Sequence, residues 1–238
     1  MARSYGVVAA TQPAPSRGKR IVVVSPHLDD GALSLGASMA SWARRGAAVE
    51  LLTALACDPA SKAPAGGWDA RGGFSTEGES ALARREEDRQ ACTVLGASPV
   101  WLPYGSVDYE RHGAETEVCD AVLRALAGAD SVLVPGFPLS HPDHAWLAEL
   151  LTGAMGHWRV GRYAEQPYTL RAGSDPAGAG FAPAPVRLDD RIAKWRAIRC
   201  YASQLPILAM RGLRRGPHRY AAAPEWIAWR PDYPARSR

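Results

Sequence analysis

The spacing of apolar positions changes character along the chain. Ile21-Val22-Val23-Val24 is an unbroken β-branched run, too short for a buried helix and suited to a strand covered on both faces of a parallel sheet. It ends at Ser25-Pro26. From Ala32 to Arg45, apolar Leu33, Met39, Ala40 and Trp42 recur at near-helical spacing, and Gly46 stands where a helix C-terminus favours glycine. Residues 49–54 read as the next strand, so the opening segment is a strand–helix–strand unit with a right-handed crossover. The alternation continues with a charged amphipathic helix over 79–95 closed by Gly96, a strand over 100–102, a helix over 115–127, a strand over 131–134 and a helix over 143–155. Strands alternating with helices predict an α/β, Rossmann-like open sheet, mostly parallel, with helices on both faces.

Other stretches carry less pattern. Residues 1–19 are small, polar and proline-containing and are expected to form a disordered leader, leaving 20–238 as a single α/β domain. The segments 58–78 and 173–185 are rich in Gly, Pro and Ala and read as loops, 189–201 as a helix, and 211–217 as a basic loop. Composition narrows the classes further. The 28 Lys+Arg are scattered among 24 Asp+Glu, so the net charge of +4 forms no stripe of the kind that grips nucleic acid. The chain contains no apolar run long enough to span a membrane or to serve as a signal peptide, which points to a cytoplasmic protein. Cys57, Cys92, Cys119 and Cys200 form no CxxC pair and read as free thiols in a reducing compartment. Eight Trp are enough to suggest a homo-oligomer interface without placing one.

Two clusters carry candidate chemistry. Pro26-His27-Leu28-Asp29-Asp30 follows the first strand directly, at the edge of an open α/β sheet where ligands bind. His141-Pro142-Asp143-His144 follows the strand at 131–134 after a short Pro/Gly loop. If both leave the same sheet edge, they bring imidazoles and carboxylates to one point. That is the donor set for a tetrahedral zinc with three protein ligands and one open position, with a further carboxylate free to act as base. Taken singly, each cluster also reads as a turn followed by a helix N-cap, in which an aspartate accepts backbone N–H bonds.

The pair of motifs, His27-Leu28-Asp29-Asp30 and His141-Pro142-Asp143-His144, resembles the two signatures of the PIG-L/LmbE-like zinc-dependent N-acetylglucosaminyl deacetylases, and the resemblance runs over roughly residues 21–201. It implies a metal site at the carboxyl ends of the strands, with His27, Asp30 and His144 binding Zn2+ (or Fe2+ in the cell) and Asp29 as general base. It further implies that His141 stabilises the oxyanion or protonates the leaving amine, oriented by Asp143. Arg84 in Arg84-Arg85-Glu86-Glu87 matches a family arginine that would hold a substrate hydroxyl or phosphate, with Glu87 as its partner. The segments Glu165-Gln166-Pro167-Tyr168 and Lys194 with Tyr201, Ser203 and Gln204 also look like family segments near the site mouth. The implied activity is hydrolysis of the acetamide of an N-acetyl amino sugar in a small glycoside or a natural-product or thiol precursor.

The chain departs from the family pattern in places. Leu28 and Gly31 replace a Pro and a Glu found in many members, and Leu139 stands where some members carry a tyrosine that aids oxyanion binding; Tyr104, Tyr109 and Tyr168 are candidates to replace it. Competing readings are a zinc amidase acting on a thiol conjugate, which shares the site and differs in its walls, and a non-catalytic sugar- or nucleotide-binding module. A nucleotide binder would want a glycine-rich phosphate loop after the first strand, where this chain has carboxylates. Specificity is expected to come from loops 58–78, 105–113 and 173–185.

Overall fold

The computed structural model describes residues 17–230 except 110–112, 155, 157, 172 and 211–216. Residues 1–16 of the expected leader and most of the expected basic loop at 211–217 lie outside the described residues. Among those described, seven strands form one sheet in the order β3-β2-β1-β4-β5-β7-β6. The strands are β1 (Arg20–Ser25), β2 (Ala48–Thr53), β3 (Ala97–Trp101), β4 (Ser131–Phe137), β5 (Arg159–Ala164), β6 (Ala182–Pro183) and β7 (Trp226–Trp229). β3, β2, β1, β4 and β5 run parallel, and β7 and β6 add on antiparallel at one edge. The helices are α1 (Asp30–Arg44), α2 (Gly67–Arg71), α3 (Glu77–Leu95), α4 (Glu115–Ala125), α5 (Pro142–Thr152), α6 (Leu188–Ile198), α7 (Leu205–Met210) and α8 (Pro217–Ala222).

The unbroken apolar run of β1 is explained by burial on both sides. Ile21 and Val23 join Leu51, Leu133 and Tyr163 under α1, α3 and α6, with Leu35, Met39, Leu95 and Ala197 closing that layer. Val22 and Val24 face the other way, with Leu52, Val132 and Val134 against Val122 and Leu126 of α4 and Leu147 and Leu151 of α5. The strand period of two sorts alternate residues into the two layers. The mostly parallel, two-faced α/β sheet is therefore as the sequence predicts.

Several elements in less patterned sequence were not anticipated. Residues 58–78 were expected to be a loop but include α2, and α3 begins at Glu77, capped by Thr76, whose Oγ1 accepts the Glu79 N–H at 3.2 Å. β5 escapes a periodicity reading because Gly161 and two arginines interrupt it; a Cβ at Gly161 would lie 2.6 Å from Leu133 Cδ1. α7, α8 and the short β6 and β7 are too brief to carry a periodic signal, and tertiary packing sustains them. All four cysteines are free, with Cys57 and Cys92 buried.

A buried ion pair ties the C-terminal segment to α1. That helix is kinked at Leu35 (φ −128°, ψ 16°), which frees backbone donors in its middle. Glu225 takes them up: its carboxylate accepts from Ala37 N at 2.9 Å, Ser38 N at 2.7 Å and Ser38 Oγ at 2.5 Å. It also pairs with Lys194 Nζ at 2.9 Å, both side chains being fully buried. Burial lowers the Lys194 pKa, and Glu225 opposes that shift.

Candidate metal centre

After β1 the chain runs outward to β2 and β3; after β4 it runs the opposite way to β5. The gap between the carboxyl ends of β1 and β4 is thus the topological switch point, where open α/β sheets bind ligands. His27, Asp29 and Asp30 stand at the end of β1, and His141, Asp143 and His144 follow β4, so the two sequence clusters meet there.

The turn after β1 is held by its own polar groups. Ser25 Oγ donates to His27 O at 2.7 Å and accepts from Gly31 N at 2.9 Å. Gly31 is closely packed: a Cβ there would lie 2.4 Å from Leu51 Cδ1, so Leu51 would have to shift to admit a larger residue. Asp29 takes φ 138°, a backbone region that costs about 1–3 kcal/mol for a residue with a side chain. It occupies the N-cap position of α1, yet its side chain makes no capping hydrogen bond. The helix-cap reading of Asp29 therefore does not hold for its carboxylate, which instead lines the cavity.

Three donor atoms converge. Asp30 Oδ2 lies 3.1 Å from His27 Nδ1 and 3.0 Å from His144 Nε2, and the two nitrogens are 3.3 Å apart. Ligands around a tetrahedral ion held at about 2.0–2.1 Å are separated by roughly these distances, so the trio fits zinc without rearrangement. The nitrogens of His27, His141 and His144 also fall within 4.8 Å of one another, a looser grouping. The tighter trio with Asp30 is the better match to three-ligand coordination.

The imidazoles are fixed from behind. His144 Nδ1 lies 2.5 Å from Glu165 Oε1, and His27 Nε2 lies 2.9 Å from Asp143 Oδ2. A carboxylate on the far ring nitrogen sets the tautomer and raises the basicity of the ligating nitrogen. Asp143, expected to orient His141, therefore also reaches His27. Its carboxylate is 3.9 Å from His141 Nδ1, farther than from His27, and it also accepts the Val107 N–H at 3.1 Å. Asp143 also holds His141 through its backbone, its N–H donating to His141 Nδ1 at 3.2 Å. Glu165 was absent from the expected ligand shell because β5, whose end it follows, was not recognised.

The charges behave as a cluster built for a cation. Burial disfavours a charged His144, but Asp30 and Glu165 prevail and raise its pKa to about 10. Burial likewise opposes the charged form of His27, and hydrogen bonds to Asp143 and Asp30 overcome it. Burial, then the neighbouring Asp30 charge, pushes the Asp29 carboxyl up to about 7. Burial, followed by repulsion from His27 and His144, pushes His141 down to about 4. His141 is therefore a neutral imidazole that accepts at Nδ1 and keeps N–H at Nε2.

A cavity of about 260 Å³ opens over this cluster. Arg84 lines it, as expected of a substrate-binding residue, but its partner is not Glu87. Arg84 Nη1 binds Asp69 Oδ1 at 3.0 Å, and Nη2 donates to Leu28 O at 3.3 Å. Glu87 instead receives Ser203 N and Oγ at 2.7 and 2.8 Å. Asp69 sits on α2, inside the stretch expected to be a loop, and also accepts the Tyr109 hydroxyl at 2.7 Å. Of the three candidate tyrosines only Tyr168 lines the cavity, its ring edge-on to His144 with centroids 5.6 Å apart. Tyr104 hydrogen-bonds to Glu117 O on the surface. The walls come from 67–71 and 106–108, as loops 58–78 and 105–113 suggested, but also from 167–171, Gln204 and Leu208; loop 173–185 contributes nothing.

The family model described as GlcNAc-PI de-N-acetylase (PIG-L) matches residues 22–155. No curated protein matches the chain in sequence. Among solved structures, the chain is similar to a triple mutant of Orf2, a deacetylase of the teicoplanin biosynthetic pathway, with 24% identity, a TM-score of 0.71, and 90% of this chain and 100% of that chain covered. It is similar to the A40926 pseudoaglycone deacetylase Dbv21 at 24% identity and TM-score 0.68, over 89% of this chain and 96% of that one. It also resembles GalB, a 4-carboxy-2-hydroxymuconate hydratase from Pseudomonas putida KT2440, at 20% identity and TM-score 0.57, over 92% and 98% of the two chains. At these identities the likenesses concern the fold, and a fold that also carries a hydratase leaves the reaction to be argued from the site.

Proposed function

The chain belongs to the PIG-L family of GlcNAc-PI de-N-acetylases, and on that premise we propose that it is a zinc-dependent N-deacetylase that hydrolyses the acetamide of an N-acetyl amino sugar in a small glycoside. The observation that carries this reading is the convergence of His27 Nδ1, Asp30 Oδ2 and His144 Nε2 to within 3.3 Å, beside a buried carboxylate that caps nothing. A zinc ion held by that trio would supply the Lewis acidity that polarises an amide carbonyl and acidifies water near neutrality.

The chain's own groups do the rest. Asp29, kept off the helix end by its backbone conformation, takes a proton from the attacking water and returns it to the leaving nitrogen, so that amide and water become acetate and amine. His141, neutral and anchored at Nδ1, offers Nε2–H to the oxygen on which negative charge develops. The Tyr168 hydroxyl, which makes no hydrogen bond within the described residues, serves as a second donor to that oxygen in place of the tyrosine missing at Leu139. Arg84, fixed by Asp69 and Leu28 O, directs its remaining N–H groups to a sugar hydroxyl. The test is a panel of N-acetylated amino sugars and their glycosides scored for released amine, with and without chelator and with zinc restored. Release that needs the metal is the expected result; release unaffected by stripping the metal, or none from any substrate, overturns the reading.

A further inference from the structure

α2 is five residues long and lies in a stretch rich in Gly, Pro and Ala, so its own helical bonds are too few to hold it in place. Yet it supplies part of the cavity wall, including Trp68 and Asp69. These two adjacent residues tie it down from different sides. Asp69 Oδ1 accepts from Arg84 Nη1 at 3.0 Å, and the indole N–H of Trp68 donates to Gln204 Oε1 at 2.6 Å. The Trp68 ring also packs against the cluster of Leu33, Ile198, Leu208 and Tyr220.

The contact continues beyond Gln204, which is fully buried. Gln204 Nε2 donates to Ser203 Oγ at 2.8 Å. Ser203 Oγ and N donate in turn to the two oxygens of Glu87, at 2.8 and 2.7 Å. Every donor in this chain points the same way, from Trp68 toward the Glu87 carboxylate. An indole can only donate and a carboxylate accepts, so the amide between them has one permitted orientation, and bonds aligned in series reinforce one another. Glu87 stands one helical turn after Arg84 on α3. That helix therefore holds α2 twice: Arg84 grips Asp69 directly, and Glu87 reaches the neighbouring Trp68 through Ser203 and Gln204. We propose that this double hold is a clamp on the cavity wall, with Gln204 as the positioning residue that carries Glu87's grip to Trp68 and so fixes the wall against which the substrate's sugar rests. Loosening it shifts Asp69, and with Asp69 the guanidinium of Arg84, while the metal trio at the ends of β1 and β4 stays in place. The inference rests on the deacetylase reading for its kinetic consequence, but not for the clamp itself.

The experiment follows hydrogen exchange of the amides of residues 66–72 by mass spectrometry in the zinc-loaded wild type, Gln204→Met, Glu87→Ala and Ser203→Thr. Methionine keeps the length of the side chain without its amide, and threonine keeps the hydroxyl as a conservative control. Glu87 does not line the cavity, so its loss can act there only through Ser203 and Gln204. A buried hydrogen bond is worth about tenfold in an opening equilibrium. Exchange at 66–72 is expected to quicken by roughly that factor in Gln204→Met, to quicken in Glu87→Ala, and to stay unchanged in Ser203→Thr. Exchange in β1 and β4 and the affinity for zinc should match the wild type. Amine release from methyl N-acetylglucosaminide should show KM raised about tenfold in Gln204→Met with kcat little changed. Combining it with Trp68→Phe should raise KM no further than the larger single effect, because both substitutions break one bond. Unchanged exchange at 66–72, faster exchange spread over the whole chain, a fall in kcat at constant KM, or multiplying effects in the double variant overturns the inference. If the wild type releases no amine while exchange at 66–72 responds as expected, the clamp stands and the deacetylase reading fails.

Discussion

Glu165→Gln isolates what holds the candidate metal centre together. Glu165 is buried, its Oε1 is 2.5 Å from His144 Nδ1, and its Oε2 accepts the Leu139 N–H at 3.3 Å. Glutamine keeps the shape and one acceptor, so the ring of His144 can stay in place while the negative charge behind it is lost. A carboxylate in this position raises the electron density at Nε2, the atom directed at Asp30 and His27. Losing such a partner costs about 10–100-fold in metal affinity, or roughly 1.4–2.8 kcal/mol. The retained amide acceptor places Gln toward the lower end of that range. Glu165→Ala, which leaves His144 Nδ1 with no acceptor at this position, belongs at the upper end. In the stripped protein the glutamine also removes one of the two carboxylates that favour a charged His144, so some folding stability is lost with it. The assay is competition for zinc against a chromophoric chelator at fixed pH, with a thermal melt of the stripped protein as control. Unchanged zinc affinity in Glu165→Gln, with His144 still in place, would refute ligation through His144 Nε2.

Four further outcomes follow from the same geometry. Asp30→Ala is expected to lose the bound metal, since Oδ2 is the atom shared by both imidazoles; elemental analysis showing full occupancy would remove Asp30 from the ligand set. Asp29→Asn is expected to keep the metal and lose about 10²–10⁴-fold in kcat, the usual contribution of a general base; a wild-type rate would exclude it from that role. Tyr168→Phe should lower kcat by up to roughly 10² with KM little changed, as for a donor to a developing oxyanion, and steady-state kinetics separate the two parameters. Glu225→Gln should destabilise the fold by about 3–5 kcal/mol by leaving the Lys194 charge buried and unpaired. Adding Lys194→Met should recover part of that loss in urea titrations, and a double variant no more stable than the single one would argue against the pair.

The sequence by itself determined the architecture and the two clusters that meet in the candidate site. Continuous β-branched runs are legible because a strand buried on both faces tolerates no polar side chain, and Val22 and Val23 do face opposite layers. The motifs at His27–Asp30 and His141–His144 are legible because each is local: the residues that end one strand and begin one helix travel together. Tertiary structure alone decided which partners complete them. Asp143 lies one residue before His144 yet braces His27, 116 positions away, and Glu165 braces His144 from the end of a strand with no periodic signature. Arg84 has Glu87 one helical turn further on, but the inward face of α3 turns it to Asp69 on a helix hidden in a Gly/Ala-rich stretch. Nearness along the chain predicts neighbours only when side chains share a face. Groups behind a site are gathered from separate elements by packing, and their pairing is settled by which buried charges would otherwise stand alone.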